Sequence, residues 1–175
     1  MRILFLWFVF SFGRVSWAAE IPRDHYEDLV LQAAYNDTEF LAYACPDEQK
    51  CSLEDFGEAV DVEAVSLAYG PSKPGRREFF VTPKTKGKQF PTLVFIMRDK
   101  MARLVLSDYE SGLSSSRSGR NSMRDIVGLA NPEPAMLVKT TYSWEGQRYI
   151  VSKRKCFKVG SSNVSRHVQY DTCIK

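Results

Sequence analysis

Histidine is nearly absent from this chain, with His25 and His167 the only two in 175 residues. The four cysteines include no Cys-x-x-Cys pair, so a zinc site built from sulfur and imidazole ligands fails on spacing. No serine sits in a Gly-x-Ser-x-Gly elbow. Serine or cysteine catalysis needs a base beside the nucleophile. Here His25 lies in the first helix beside Asp24 and Glu27, where a solvated helix face is its expected role, and His167 lies between Arg166 and Val168. No cofactor fingerprint and no heptad repeat occurs, and no cofactor is expected. Neither sign of charge dominates: 24 Lys and Arg face 21 Asp and Glu. A net charge of +3 gives no general pull toward nucleic acid or anionic lipid.

What the chain does carry is a leader. Arg2 opens it, an apolar run follows over residues 3–12, and Ser16-Trp17-Ala18 places small residues where a signal peptidase reads. Residues 1–18 are expected to be a signal peptide and 19–175 a single α+β domain. A retained anchor is the alternative, but Gly13-Arg14 interrupts the run before the roughly 20 residues that a membrane span needs. No stable membrane anchor is expected after cleavage. The mature chain loses Arg2 and Arg14 and sits near neutrality. The expected location is periplasmic or secreted, where thiols oxidise. Four cysteines permit three pairings. The short loops favour Cys45 with Cys51 and Cys156 with Cys173, each bridge contributing on the order of 2–3 kcal/mol.

Hydropathy divides the mature chain into two parts. Tyr26, Leu29, Val30 and Ala33 recur at helical spacing, predicting a helix from Arg23 or Asp24 to about Tyr35. Asn36-Asp37-Thr38 can cap a second short helix, and Ser52-Leu-Glu-Asp55 signals a third. From residue 62 the period becomes two. Strands are expected over residues 62–69, 78–82, 92–97, 102–107, 135–144, 147–152 and 167–170, with 125–129 a short buried piece. Val94, Ile96, Leu104 and Leu106 are expected on one face. Gly146 suits a two-residue turn at a positive φ. The expected fold class is α+β: an antiparallel β-sheet of about 5–7 strands with short N-terminal helices packed on it and two local disulfides.

The segment from Val62 to Val151 resembles a diffuse group of small exported bacterial proteins. Gly75-Arg-Arg-Glu78-Phe79-Phe80 matches one of their elements, and Asn121-Ser-Met-Arg-Asp125-Ile126 a second. Tyr142-Ser-Trp144-Glu-Gly146-Gln-Arg-Tyr149 matches their Tyr-x-Trp-x-Gly-x-x-Tyr hairpin. The resemblance implies an exported α+β or mainly β domain and no activity. Loops of related repeat proteins hold calcium through carboxylate oxygens. The corresponding Gly70-Pro-Ser-Lys-Pro-Gly75 offers one hydroxyl and a lysine, so no metal is expected there.

Residues 108–122 are serine-rich and poor in apolar groups, which predicts a long, exposed, mobile loop. Tyr109, Ser111, Arg117, Arg120 and Arg124 are the candidate binding residues, because a basic loop can enter the acidic cleft of a hydrolase. Tyr109-Glu-Ser-Gly112 resembles the Ser-Gly motif of one lysozyme-inhibitor family. The expected function is therefore non-catalytic binding of a protein partner in the cell envelope, as an inhibitor or immunity-type protein acting on a wall-degrading enzyme. The rival is a periplasmic hydrolase using paired carboxylates, Glu54 with Asp55 or Asp108 with Glu110. The basic stretch Lys153-Arg154-Lys155 with Lys158 reads as a solvated strand end or a small anion patch. In a eukaryotic host Asn36 and Asn163 would be glycosylation acceptors.

Overall fold

The computed structural model describes residues 23–46, 51–70, 76–134, 136–158 and 168–170. Residues 1–18, expected to be a signal peptide, lie outside the described residues, as do Asn163, Cys173 and the 71–75 part of the Gly-Pro turn. Among the described residues, no helix is long and apolar enough to cross a membrane.

Three short helices come first: α1 (Arg23–Tyr35), α2 (Thr38–Ala44) and α3 (Leu53–Ala59). Their starts are chemically specified. Asp37 caps α2 by accepting from the Phe40 amide at 3.0 Å. Ser52 and Asp55 form a reciprocal capping box at α3. These contacts hold the exposed Asp55 carboxyl below its usual range, because the Ser52 hydroxyl and amide both donate to it. Cys45 and Cys51 are bridged, clipping the end of α2 to the start of α3. The expected Cys156–Cys173 bridge involves Cys173, outside the described residues.

The strands form two antiparallel sheets. The first has the order β1 (Val60–Val65), β2 (Arg77–Pro83), β3 (Phe90–Arg98), β4 (Met101–Glu110). The second has the order β5 (Gly112–Arg120), β6 (Met123–Ala130), β7 (Met136–Trp144), β8 (Tyr149–Lys158), β9 (Val168–Tyr170). The α+β class and the antiparallel pairing stand. The single sheet of five to seven strands does not: there are two sheets, with eight long strands and a three-residue ninth. The discrepancy arises at residues 108–122, which are not a loop. They finish β4, pass through Ser111 and form β5. An edge strand needs ladder hydrogen bonds more than burial, so its serine-rich composition hides it.

The layers follow from alternation along the central strands. Phe79, Val81, Leu93, Phe95 and Met97 face the helices and join Val30, Ala34, Phe40 and Phe56 in one core. Phe80, Val94 and Ile96 point the other way and meet Met123, Ile126, Tyr142 and Tyr149 of the second sheet. The central strands β2 and β3 are thus buried on both faces, and β3 reads as a largely apolar run for that reason. Leu104 departs from expectation. A register shift opposite Val94 and Phe95 inserts an extra residue, Val105, into β4. Val105 and Leu106 are both buried, and Leu104 is turned out to 41% exposure. Residues 67–69 tie the sheets together, the Arg124 amide donating to the Leu67 carbonyl and the Tyr69 amide to the Ser122 carbonyl.

Candidate functional site

Each end of the strand stack carries a cleft. At one end three hairpin turns converge. The β3–β4 turn places Asp99 and Lys100 at positive φ, and the β5–β6 turn does the same with Asn121 and Ser122. The third turn joins β7 to β8. Gly146 takes φ +92° there as expected, but the connection is four residues long, because Trp144 pairs with Tyr149. A cavity of about 370 Å³ opens among the turns. Arg76, Arg98, Arg103, Asn121 and Trp144 line it, with Asp99 the one acidic residue in its wall among the described residues.

Each guanidinium has a defined setting. Arg76 Nε donates to the buried carboxylate of Glu78 at 2.9 Å, which holds the side chain against the wall. Arg103 Nη2 donates to Gln147 Oε1 at 3.3 Å. Arg98 is largely exposed and meets Asp99 at 3.4 Å, a contact that solvent weakens. Trp144 packs edge-on to Tyr149, with ring centroids 5.2 Å apart. The Tyr149 hydroxyl donates to the Arg124 carbonyl. Burial, with the Glu78 charge second, pushes its ionisation well above the ordinary phenol value. The wall is therefore rigid and cationic, with an aromatic edge.

At the opposite end a cavity of about 350 Å³ lies between the end of β4 and the strands β6, β7 and β8. Asp108 and Glu110 are two residues apart on β4, so both point to one face. Tyr142 of β7 stands between them, its hydroxyl 2.7 Å from Asp108 Oδ2 and 2.5 Å from Glu110 Oε1. A phenol has one proton and can donate to one carboxylate at a time. When Glu110 carries a proton, that proton satisfies the other contact. Burial is the main cause of a Glu110 ionisation raised above the carboxylate norm; the Tyr142 hydrogen bond opposes it and the Asp108 charge adds to it. Tyr142 is itself pushed far up, first by burial and then by its two carboxyl neighbours. Gly128 of β6 makes room for the cluster, since a Cβ there would lie 2.5 Å from Glu110 Cδ.

The five candidate binding residues do not form one site. Tyr109 is exposed at the rim of the acidic cavity. The Ser111 hydroxyl donates to the Lys88 carbonyl, close to the same end. Arg117 and Arg120 are exposed on β5, and Arg124 of β6 is half-buried over the Tyr69 ring at 5.7 Å. Roughly 25 Å of strand separates Tyr109 from Arg120. The loop grouping is corrected accordingly: these residues sit on strands, at opposite ends of a ribbon. Sequence reasoning paired Asp108 with Glu110, but it missed Tyr142 between them and the arginines 76, 98 and 103 around Trp144. The dyad spacing of Asp108 and Glu110 was the available signal for the first; nothing local marks the second. Of the other expected groups, Glu54 and Asp55 are exposed on α3, as is Asn36 at the end of α1. Lys153 and Arg154 are exposed on β8. Among the described residues, no group of three or more His, Cys, Asp or Glu could hold a metal. No family model, curated protein or solved structure matches the chain.

Proposed function

We propose that this chain is an exported, non-catalytic binding protein that engages an acidic protein surface through its turn end. The partner fitting this chemistry is a wall-degrading enzyme of the cell envelope, whose substrate cleft carries carboxylates; the chain then acts as an inhibitor or immunity-type protein. The observation that carries the reading is the cleft at the three turns, where Arg76, Arg98 and Arg103 surround Trp144. Arginine and tryptophan are the side chains that most often anchor protein interfaces. Tight turns on paired strands present them with little ordering cost on binding. The leader and the oxidised Cys45–Cys51 pair agree with a periplasmic or secreted protein, and Cys156–Cys173 is the second bridge in this reading.

The carboxylate hydrolase is the weaker reading. A retaining glycosidase holds its two carboxyls about 5–5.5 Å apart, with the scissile bond between them. Between Asp108 and Glu110 the Tyr142 hydroxyl fills the gap, and Glu110 is only 2% exposed.

The test is inhibition of purified muramidases and wall amidases, measured on a cell-wall suspension. Inhibition is expected at low salt, and the double variant Arg98→Glu, Arg103→Glu should weaken it by about 10- to 100-fold. The slowed association of that variant should lose or reverse the fall with ionic strength expected of the natural chain, because screening then relieves a repulsion. Absence of inhibition across the panel, or a double variant as potent as the natural chain, would defeat the proposal.

A further inference from the structure

The acidic cavity at the other end is not used in this reading, and it contains a group with unmet chemistry. Glu110 lines the cavity at 2% exposure, with the Thr140 side chain beside its carboxyl, and its solvent-shielded Oε2 has no hydrogen-bond partner. A buried acceptor left unpaired is rare enough in folded proteins to need an explanation. Beside it, Asp108 has one oxygen on the Tyr109 amide at 2.8 Å and the other on Tyr142. The two carboxyls therefore present acceptor capacity into the cavity and no free donor. Across the cavity stands Arg154 of β8, close enough for its charge to act on Glu110. No carboxylate lies within ion-pair distance of Arg154 among the described residues. Between these poles Ala130, Pro132, Met136 and Val138 supply an apolar wall, and the exposed Glu133 also lines the cavity.

We propose that this cavity binds a small zwitterion with an aliphatic body, of the free amino acid class. Its ammonium would sit against Asp108 and the Glu110 carboxyl, reaching Oε2 by a small movement of the cavity wall; its carboxylate would meet the Arg154 guanidinium, and its side chain would lie on the Met136–Val138 wall. A fixed pair of opposite poles is what separates such a ligand from a simple amine or a simple acid. The volume, about 350 Å³, is at the lower end of the range that takes small molecules. A bare metal ion is a poor alternative, because it would have to displace the Tyr142 proton and would leave Arg154 facing a cation. Ammonium binding favours the ionised form of Glu110, so a proton leaves the cluster as the ligand enters.

Isothermal titration of the purified full chain tests this with three probes: L-leucine, 3-methylbutylamine, which lacks the carboxylate, and 4-methylpentanoate, which lacks the ammonium. Leucine is expected to bind with 1:1 stoichiometry, and each truncated probe at least about tenfold more weakly. The leucine heat should vary with buffer ionisation enthalpy wherever Glu110 still holds its proton in the free chain, reporting the released proton. Arg154→Gln, an exposed position that folding tolerates, should reduce leucine binding to the level of the amine. Glu110→Gln should abolish the buffer dependence. Leucine without saturable binding to about 10 mM would overturn the proposal. So would 4-methylpentanoate binding as tightly as leucine, or Arg154→Gln leaving its affinity unchanged. The outcome is independent of muramidase inhibition, which depends on the opposite end of the molecule.

Discussion

Glu110 shows how much one buried carboxyl changes when its environment is read atom by atom. Its position beside Asp108 is visible in the sequence, but the phenol that joins them is 32 residues away on another sheet. No local pattern could announce that partner. The consequence is a definite pH dependence. The folded chain holds a proton on Glu110 above the ordinary value of 4.5, where the unfolded chain has released it. This group's stabilising contribution is complete below that ordinary value and is lost as pH rises through the raised folded value. Glu110→Gln keeps the shape and removes the titration. Its unfolding temperature, measured from pH 4 to 8, is therefore expected to decline less with rising pH than that of the natural chain. Parallel profiles would show that Glu110 titrates normally. Asp55 works in the opposite sense, its contribution being lost as pH falls, and it lies far enough away to be common to both proteins.

At the level of elements, the legible parts were those with local chemistry. The α2 cap at Asp37, the α3 capping box and the β3–β4 hairpin all follow from short-range pattern and appear where that pattern puts them. Two things were not legible. The extra residue in β4 obeys a tertiary demand, since Val105 and Leu106 are both needed on the inter-sheet core. The β5 strand is specified by its partner and not by burial. Its pairing with β6 breaks between Ser115 and Gly119, where Ser116, Arg117 and Ser118 bulge outward. The Tyr69 hydroxyl catches the bulge by donating to the Arg117 carbonyl at 2.8 Å. Pairing resumes only because position 119 has no side chain, since a Cβ there would lie 2.0 Å from the Met123 carbonyl oxygen. Gly119→Ala is thus expected to destabilise the chain by about 1–3 kcal/mol. Gly112 starts the same strand with nothing near its missing Cβ, so Gly112→Ala should be close to neutral. Urea unfolding of the two variants checks the contrast. Equal effects would mean that the hairpin accommodates a side chain at its turn.

The whole molecule is governed by β3, whose alternate residues enter different cores. Leu93, Phe95 and Met97 hold the helices, whereas Val94 and Ile96 hold the second sheet. Loosening either layer removes support from the same strand, so the layers are expected to unfold as one. The sequence supplies separate reporters. From residue 19 onward Trp144 is the one tryptophan, and it belongs to the second sheet. Helical circular dichroism reports the opposite layer. Phe56 lies in the helix-side core, edge-on to Tyr35 and Phe40. Phe56→Ala should cost about 3–5 kcal/mol. In a coupled molecule the helical signal and Trp144 fluorescence shift together to the same lower denaturant midpoint. If the helix layer were separable, the dichroism would move alone while the Trp144 midpoint stayed where it was. The cleft at the turns, carried on β3 and the second sheet, would then be independent of the helices that cover the other side.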